Sequence, residues 1–208
     1  DEILKTNGTI DKYIGDAIMA FWNAPIEDPD HAVNAVLAAR AMLQAVDTLN
    51  AERVREAGEG AAIQPLRIGI GINTGDCVVG NIGSDFRFNY SALGDPVNLA
   101  ARLEGETKGR HVDILLGEET ARQIGDRIPL APVGRIRVKG KSEVVSVFTP
   151  VDTSDRGALA RHSAFMEEVD AGTADADDPR LAELTATLPD LAGFYAMTRR
   201  MLRSEGAE

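Results

Sequence analysis

Lys12 is a lysine on what should be an apolar face. The run Thr9–Ile14 is rich in β-formers. On a strand Ile10, Lys12 and Ile14 share one side, and Asp11 and Tyr13 the other. Two isoleucines mark the side to be buried, which leaves two readings for the lysine. Either it snorkels to water from an edge strand, or it is a donor lining a pocket. Asp16 follows in a Gly15-Asp16 pair. An aspartate there ordinarily serves turn chemistry. The alternative is an oxygen ligand for Mg2+, a hard ion that binds one or two carboxylates together with substrate phosphates.

Asn98 and Arg102 form a second candidate set. Asp95-Pro96 reads as a helix start, with an acid at the N-cap and proline at the first helical position. A spacing of four then puts Asn98 and Arg102 on one face near the helix N-terminus. Helix N-termini favour anions, and a guanidinium one turn in can clamp phosphate oxygens. The plainer reading pairs Arg102 with Glu106, but it leaves Asn98 unexplained. Lys139 and Lys141 flank Gly140, either as a soluble turn or as point charges for phosphates. They do not belong to a Walker A loop, because Gly134 stands one residue too far from Gly140-Lys141-Ser142 and a strand follows instead of a helix. Neither a nucleophile–base pair nor a glycosidase-like acid pair can be picked out.

Turn chemistry and periodicity supply the elements that must position these residues. Residues 1–7 read as the end of a helix with Gly8 as its cap. Two β-rich runs, Thr9–Ile14 and 17–22, flank Gly15-Asp16, and glycine first in a two-residue loop suits a type II′ turn. Asp30 is the N-cap candidate of a helix running to about Ala57, in which Val33, Val36, Leu37, Leu43, Val46 and Leu49 recur at helical spacing. Strands are expected over 66–73, 77–82 and 89–93, and a helix over 97–106. A strand over 112–116, a short helix over Glu118–Ile124 and a hairpin from 133–138 and 143–151 follow. Gly69 and Gly71 interrupt the first of those strands, where glycine marks close approach by another element. With Gly75 they form no dinucleotide fingerprint. Past Val151 the chain becomes rich in Asp, Ala, Gly and Thr, with an amphipathic piece near 158–169 and room for one or two helices over 179–203. That segment is expected to be a connector or a partner-facing helix. Hairpins mixed with helices argue for an α+β sandwich with an antiparallel-rich sheet.

Composition excludes several classes. The 22 basic and 33 acidic residues give a formal charge of −11, so the chain repels a phosphate backbone and no nucleic-acid partner is expected. One cysteine, Cys77, leaves no internal disulfide and no cysteine-based zinc site. His31, His111 and His162 are scattered. No run of roughly 18 apolar residues could span a bilayer, and nothing resembles a signal peptide. A cytoplasmic location is expected, with membrane tethering of a parent protein left open. The abrupt start, without an initiator methionine, suggests a piece of a longer protein.

Taken in order, four stretches resemble the catalytic domain of class III nucleotidyl cyclases, the adenylate and guanylate cyclases. They are TIDKYIGDAIMAF (9–21), RIGIGINTGDCVVGNIGS (67–84), YSALGDPVNLAARLE (90–104) and RVKGK (137–141). Each is weak alone. In this order they are specific, and they span about Gly8 to Val151.

The resemblance implies a ferredoxin-like class III cyclase domain over 1–151, lacking its first strand, followed by an acidic linker and helical tail over 152–208. It implies conversion of ATP to 3′,5′-cyclic AMP and pyrophosphate. By residue, it implies that Lys12 and Ser91 read the base, Asn98 orients the ribose, Arg102 stabilises the transition state and Lys139 holds the terminal phosphates. Asp16 corresponds to the second of two metal-binding aspartates, for Mg2+ or Mn2+. The chemistry agrees: an ammonium only donates and suits adenine N1, and a serine can accept from the exocyclic amine. The family's two-chain site implies a homodimer, and the parent is expected to carry an N-terminal sensor or regulatory domain. Two departures are visible. The first metal aspartate, in a Phe-x-Asp-type motif, would lie upstream of Asp1, so the chain as it stands is expected to be inactive or weak. Asp76 stands where some cyclases carry arginine. The alternatives are a non-catalytic cyclase-like domain with a regulatory or dimerisation role, and a guanylate cyclase.

Overall fold

The computed structural model describes residues 1–58, 62–84, 87–137 and 144–205. In chain order these form α1 (Glu2–Lys5), β1 (Thr9–Ile14), β2 (Ala17–Phe21), α2 (His31–Ala57), β3 (Ile70–Ile72), β4 (Val78–Ser84), β5 (Arg87–Leu93) and α3 (Asp95–Arg110). Then come β6 (Ile114–Gly117), α4 (Glu118–Ile124), β7 (Leu130–Arg137), β8 (Val144–Pro150), α5 (Arg156–Asp170), α6 (Arg180–Thr187) and α7 (Ala192–Glu205). The β1–β2 and β4–β5 pairs are separate antiparallel hairpins, and a mixed sheet has the order β3-β6-β8-β7. Only β3–β6 is parallel in that sheet; β6–β8 and β7–β8 are antiparallel. The α+β, antiparallel-rich architecture is the one expected.

Helices cover both faces of the sheet. Strand β6 shows why its sequence is apolar throughout: Ile114 and Leu116 pack with Ala32, Val36 and Ile124, while Leu115 points the other way toward Leu103, Val133 and Phe165. A strand buried on both sides needs no polar alternation. The second of these cores extends through the C-terminal helices, where Leu181, Leu184, Leu191, Phe194 and Tyr195 join it. Residues 152–205 therefore pack against this core, α5 on β7 and the later helices beside it; α5 is started by Asp155, whose side chain accepts from Ala158 N–H at 2.9 Å.

Several local expectations change. The strand expected over 66–73 contracts to Ile70–Ile72, the three residues that pair with Ile114, Leu115 and Leu116 of β6, and α3 lies directly on it. A Cβ at Gly69 would come within 2.2 Å of Thr107 Oγ1, and one at Gly71 within 2.1 Å of Ala100 O. The helix expected over 97–106 runs over Asp95–Arg110, with Gly94 rather than Asp95 at the N-cap. It ends in a Schellman pattern, with Val112 N–H on Thr107 O and His111 at φ +55°. At α1 the left-handed residue is Asn7, φ +63°, not Gly8. Gly8 is needed for space, since a Cβ there would meet Ile3 and Trp22 at 2.6 and 2.7 Å.

Strand β7 carries a bulge between Pro132 and Arg135, with Gly134 at φ +94°. Its carbonyls find other donors. Arg110 donates to Val133 O at 2.7 Å and to Arg135 O at 2.8 Å. His162 Nε2–H donates to Pro132 O at 2.7 Å, which leaves Nδ1 to accept from Tyr195 O–H at 2.8 Å. Burial pushes the His162 imidazole below its ordinary value and the Tyr195 phenol above its own.

Candidate active site

The β1–β2 hairpin is built around Gly15, whose φ of +63° fits the first position of a type II′ turn. Asp16 follows it, exposed at the hairpin tip. The strand alternation expected for β1 fails at one point. Ile10 pairs with Ala20 and Lys12 with Met19, so Asp11 is an extra residue in a bulge. A bulge re-aims side chains. Here Asp11 and Lys12 turn toward the same target on β5, the hydroxyl of Ser91.

Lys12 Nζ donates to Ser91 Oγ at 3.1 Å, across 79 positions of sequence. The sequence alone marks Lys12 as anomalous; the structure supplies its partner, on an edge strand where the lysine side chain keeps 38% exposure. Ser91 is 2% exposed. Its cross-strand neighbour on β4 is Gly80, and a Cβ there would meet nothing within 4 Å, so the face beside Ser91 is open. The packing of Phe21 on Tyr90, with ring centroids 5.9 Å apart, helps hold the two hairpins together. Asp11 is the residue that strand periodicity places on the wrong side. Its side chain is fully buried. No simple sequence signal marks a bulge inside an otherwise regular run.

Asn98 and Arg102 lie on α3, four residues apart, with the Asn98 side chain exposed and Arg102 half-buried. Glu106, the alternative partner considered for Arg102, sits 3.8 Å from Arg110. Asn73 Nδ2 donates to Pro96 O at 3.1 Å, and a Cβ at Gly75 would come within 2.5 Å of Pro96; both fix the start of α3 against the β3–β4 connection. Lys139 lies outside the described residues. An open depression of about 360 Å3, lined by Glu118, Arg122, Phe148 and Ser163 among others, shares no residue with this site.

The metal expectation meets only part of its ligand set here. Asp16 is a hard oxygen donor on an exposed turn, suited to a Mg2+ that takes its other ligands from water and phosphates. Among the described residues, no group of three His, Cys, Asp or Glu side chains is placed to hold an ion. Asp16 fits as one ligand and not as a two-metal cage.

This fold and arrangement define the class. Residues 2–149 match the family model for the adenylate and guanylate cyclase catalytic domain, and the chain belongs to that family. It is 35% identical over 160 residues to adenylate cyclase 1 of Rhizobium meliloti, covering 74% of this chain and 23% of that protein. Among solved structures, the guanylyl cyclase Cya2 superposes with a TM-score of 0.64 at 33% identity, covering 76% of this chain and 77% of that one. The adenylyl cyclase CyaB from P. aeruginosa superposes with a TM-score of 0.60 at 37% identity, covering 74% and 76%. The chain thus spans about a quarter of the length of the Rhizobium relative. Similarity reaches both adenylyl and guanylyl cyclases, so the choice of base has to be argued from the site itself.

Proposed function

We propose that this domain is an adenylate cyclase module that converts ATP to 3′,5′-cyclic AMP and pyrophosphate. The observation that carries the reading is the Lys12 Nζ–Ser91 Oγ contact at 3.1 Å. It joins a group that can only donate to one that can accept. Adenine offers the matching edge, an acceptor at N1 beside a donor amine at position 6. Guanine offers a proton at N1 and a carbonyl at position 6, the reverse of both.

The remaining roles follow the family resemblance. The reaction is attack of the ribose 3′-oxygen on the α-phosphate with loss of pyrophosphate, a transfer governed by positioning and charge neutralisation. Asn98 holds the ribose so that its 3′-oxygen faces phosphorus. Arg102 meets the negative charge that grows on the α-phosphate oxygens. Lys139 holds the terminal phosphates. Asp16 gives one oxygen ligand to Mg2+ or Mn2+. Such an ion would supply Lewis-acid activation of the 3′-hydroxyl and charge neutralisation of the leaving pyrophosphate.

A two-chain site follows from the family resemblance. We place Asp16 at one site of a homodimer and Lys12, Ser91, Asn98 and Arg102 at the other. Exposed apolar residues on both hairpins, among them Tyr13, Ile14, Val78 and Phe88, supply surface for that association. Residues 1–151 form the catalytic unit in this reading, and the helices after it brace β7. The parent protein joins the module to a regulatory domain on its N-terminal side. No helix among the described residues is long and apolar enough to cross a membrane.

The test is product formation from ATP and from GTP, with Mg2+ or Mn2+, by the 208-residue chain and by the parent polypeptide that carries it. Cyclic AMP from the parent is the expected product. Cyclic GMP in its place overturns the base-reading argument.

A further inference from the structure

Base selection by a lysine and a serine has a weakness. A serine hydroxyl both donates and accepts, and its proton rotates to suit the ligand. Left to itself Ser91 could accept from an adenine amine or donate to a guanine carbonyl, and it would discriminate little. The structure contains a group that removes the ambiguity.

That group is Asp11. Its carboxylate is fully buried beside the Lys12–Ser91 contact. Oδ2 takes two donors, the Ser91 hydroxyl at 2.5 Å and the Ala92 backbone N–H at 3.3 Å. Oδ1 is buried and receives no hydrogen bond, with the Lys12 ammonium 3.3 Å away as its ion-pair partner. The proton inventory is then determined. Lys12 can only donate, so Ser91 Oγ accepts from it. The single Ser91 proton goes to Asp11. One Ser91 lone pair holds Lys12, and one lone pair is left.

We infer that Asp11 is a positioning residue for base selection. By taking the Ser91 proton it holds that hydroxyl as an acceptor, and so favours a purine with an amine at position 6 over one with a carbonyl there. The inference rests on the adenine-nucleotide reading above. It adds that the preference lies in a triad, Asp11–Ser91–Lys12, and that Ser91 without Asp11 loses its polarity. The β1 bulge is the backbone device that makes this possible, because regular alternation would send Asp11 and Lys12 to opposite faces.

The experiment measures dissociation constants of 3′-deoxy-ATP and 3′-deoxy-GTP, which cannot cyclise, by calorimetry on the 208-residue chain. Wild type is expected to bind the adenine nucleotide at least about tenfold more tightly, the equivalent of roughly 1.4 kcal/mol. Asp11→Ala is expected to cut that ratio at least about fivefold, whereas Asp11→Asn, whose amide oxygen still accepts the Ser91 proton, keeps it. In a Ser91→Ala background Asp11→Ala changes the ratio no further, a non-additivity that marks action through Ser91. A purely structural role would weaken both nucleotides alike. An unchanged ratio in Asp11→Ala, or the same loss without Ser91, overturns the inference and leaves the adenine reading standing. Wild type without an adenine preference, or without binding of either nucleotide, removes both. If Asp11→Ala shows no cooperative melt, the wild-type chain decides with a 6-methoxypurine 3′-deoxynucleoside triphosphate. This analogue keeps N1 as an acceptor and puts an oxygen acceptor at position 6. At least tenfold weaker binding than the adenine analogue supports a fixed acceptor; equal binding overturns it.

Discussion

Along β7 the bulge frees the carbonyls of Pro132, Val133 and Arg135, and each receives a donor from His162 or Arg110. The side chains packed over that strand are almost wholly enclosed, Phe165 at 0% and Phe194 at 2% exposure. The two hairpins at the site present the opposite balance. Their polar groups converge on one buried carboxylate, while Tyr13 stays 69% exposed and Val78 73%. Both regions use a bulge to redirect hydrogen bonds. In the first, the chain's own C-terminal helices complete the surface. In the second, apolar surface remains on the same elements that carry Asp11, Lys12 and Ser91. The contrast separates residues whose loss unfolds the protein from residues whose loss disarms it.

The largest expected effect is on the enclosed side. Phe194→Ala removes a ring that packs edge-on against His162 and Tyr195, with centroids 6.3 and 5.9 Å away. Burial of this kind predicts a loss of about 3–5 kcal/mol in urea unfolding. A loss under about 1 kcal/mol would mean that the C-terminal helices melt separately from the sheet, and the comparison would fail. On the open side, Arg102→Ala in the parent protein should lower kcat by about 10²–10³, the scale seen when one transition-state donor is removed. Asn98→Ala should fall in the same direction. The thermal midpoint of Asn98→Ala should stay within a few degrees of wild type, because that side chain is exposed. Steady-state turnover with wild-type kcat in both variants would remove α3 from the mechanism.

These assignments differ in how far sequence could reach them. The Asn98–Arg102 pair needs only helical spacing and a recognisable start, so it is legible even though the N-cap moves from Asp95 to Gly94. The Gly15-Asp16 turn and α4 are equally local. Lys12 is legible as an anomaly, yet its partner lies 79 positions away. Asp11 is not legible, because one inserted residue reverses the face that alternation assigns. Strand β3 shortens because its pairing with β6 covers only Ile70–Ile72, while Gly69 and Gly71 admit α3. The apolar residues Leu181, Leu184, Leu188 and Leu191 announce helical surface after Val151, but nothing local says which strand they cover. Long-range packing decided each of these.

The exposed hairpins give the next prediction. Phe88→Glu combined with Val78→Glu places charge on side chains that are 61% and 73% exposed. Surface changes of this kind ordinarily move folding free energy by no more than about 0.5 kcal/mol. If the patch is where a second copy sits, sedimentation velocity should show a shift from dimer to monomer at a concentration where wild type is dimeric. Activity should fall with it. Dimerisation unchanged in the double variant would show that this surface serves another purpose, and the two-chain assignment of Asp16 and Lys12 would lose its support.

The smallest effect is the one that reads the enclosed side most directly. His162 is 0% exposed, bonded through Nε2 to Pro132 O and through Nδ1 to Tyr195 O–H. A second proton on this ring would have no acceptor unless the Tyr195 hydroxyl turned its own proton away. Burial accordingly holds the folded-state pKa below the ordinary value of 6.5. The linkage follows in sign. Above pH 6.5 the ring is neutral in folded and unfolded chains, and its contribution to stability is fully present. As pH falls below that value the unfolded chain takes up a proton that the folded one refuses, so stability drops, by at most about 1.4 kcal/mol per pH unit, until the depressed pKa is reached. His162→Gln offers an amide that can donate to Pro132 and accept from Tyr195 without titrating. Urea unfolding between pH 8 and pH 5 should therefore show a steeper acid loss in wild type than in the variant, the two curves converging as pH falls. Parallel curves would mean that His162 takes its proton without unfolding, and the contact between α5, α7 and the β7 bulge would then be open to water in the native protein.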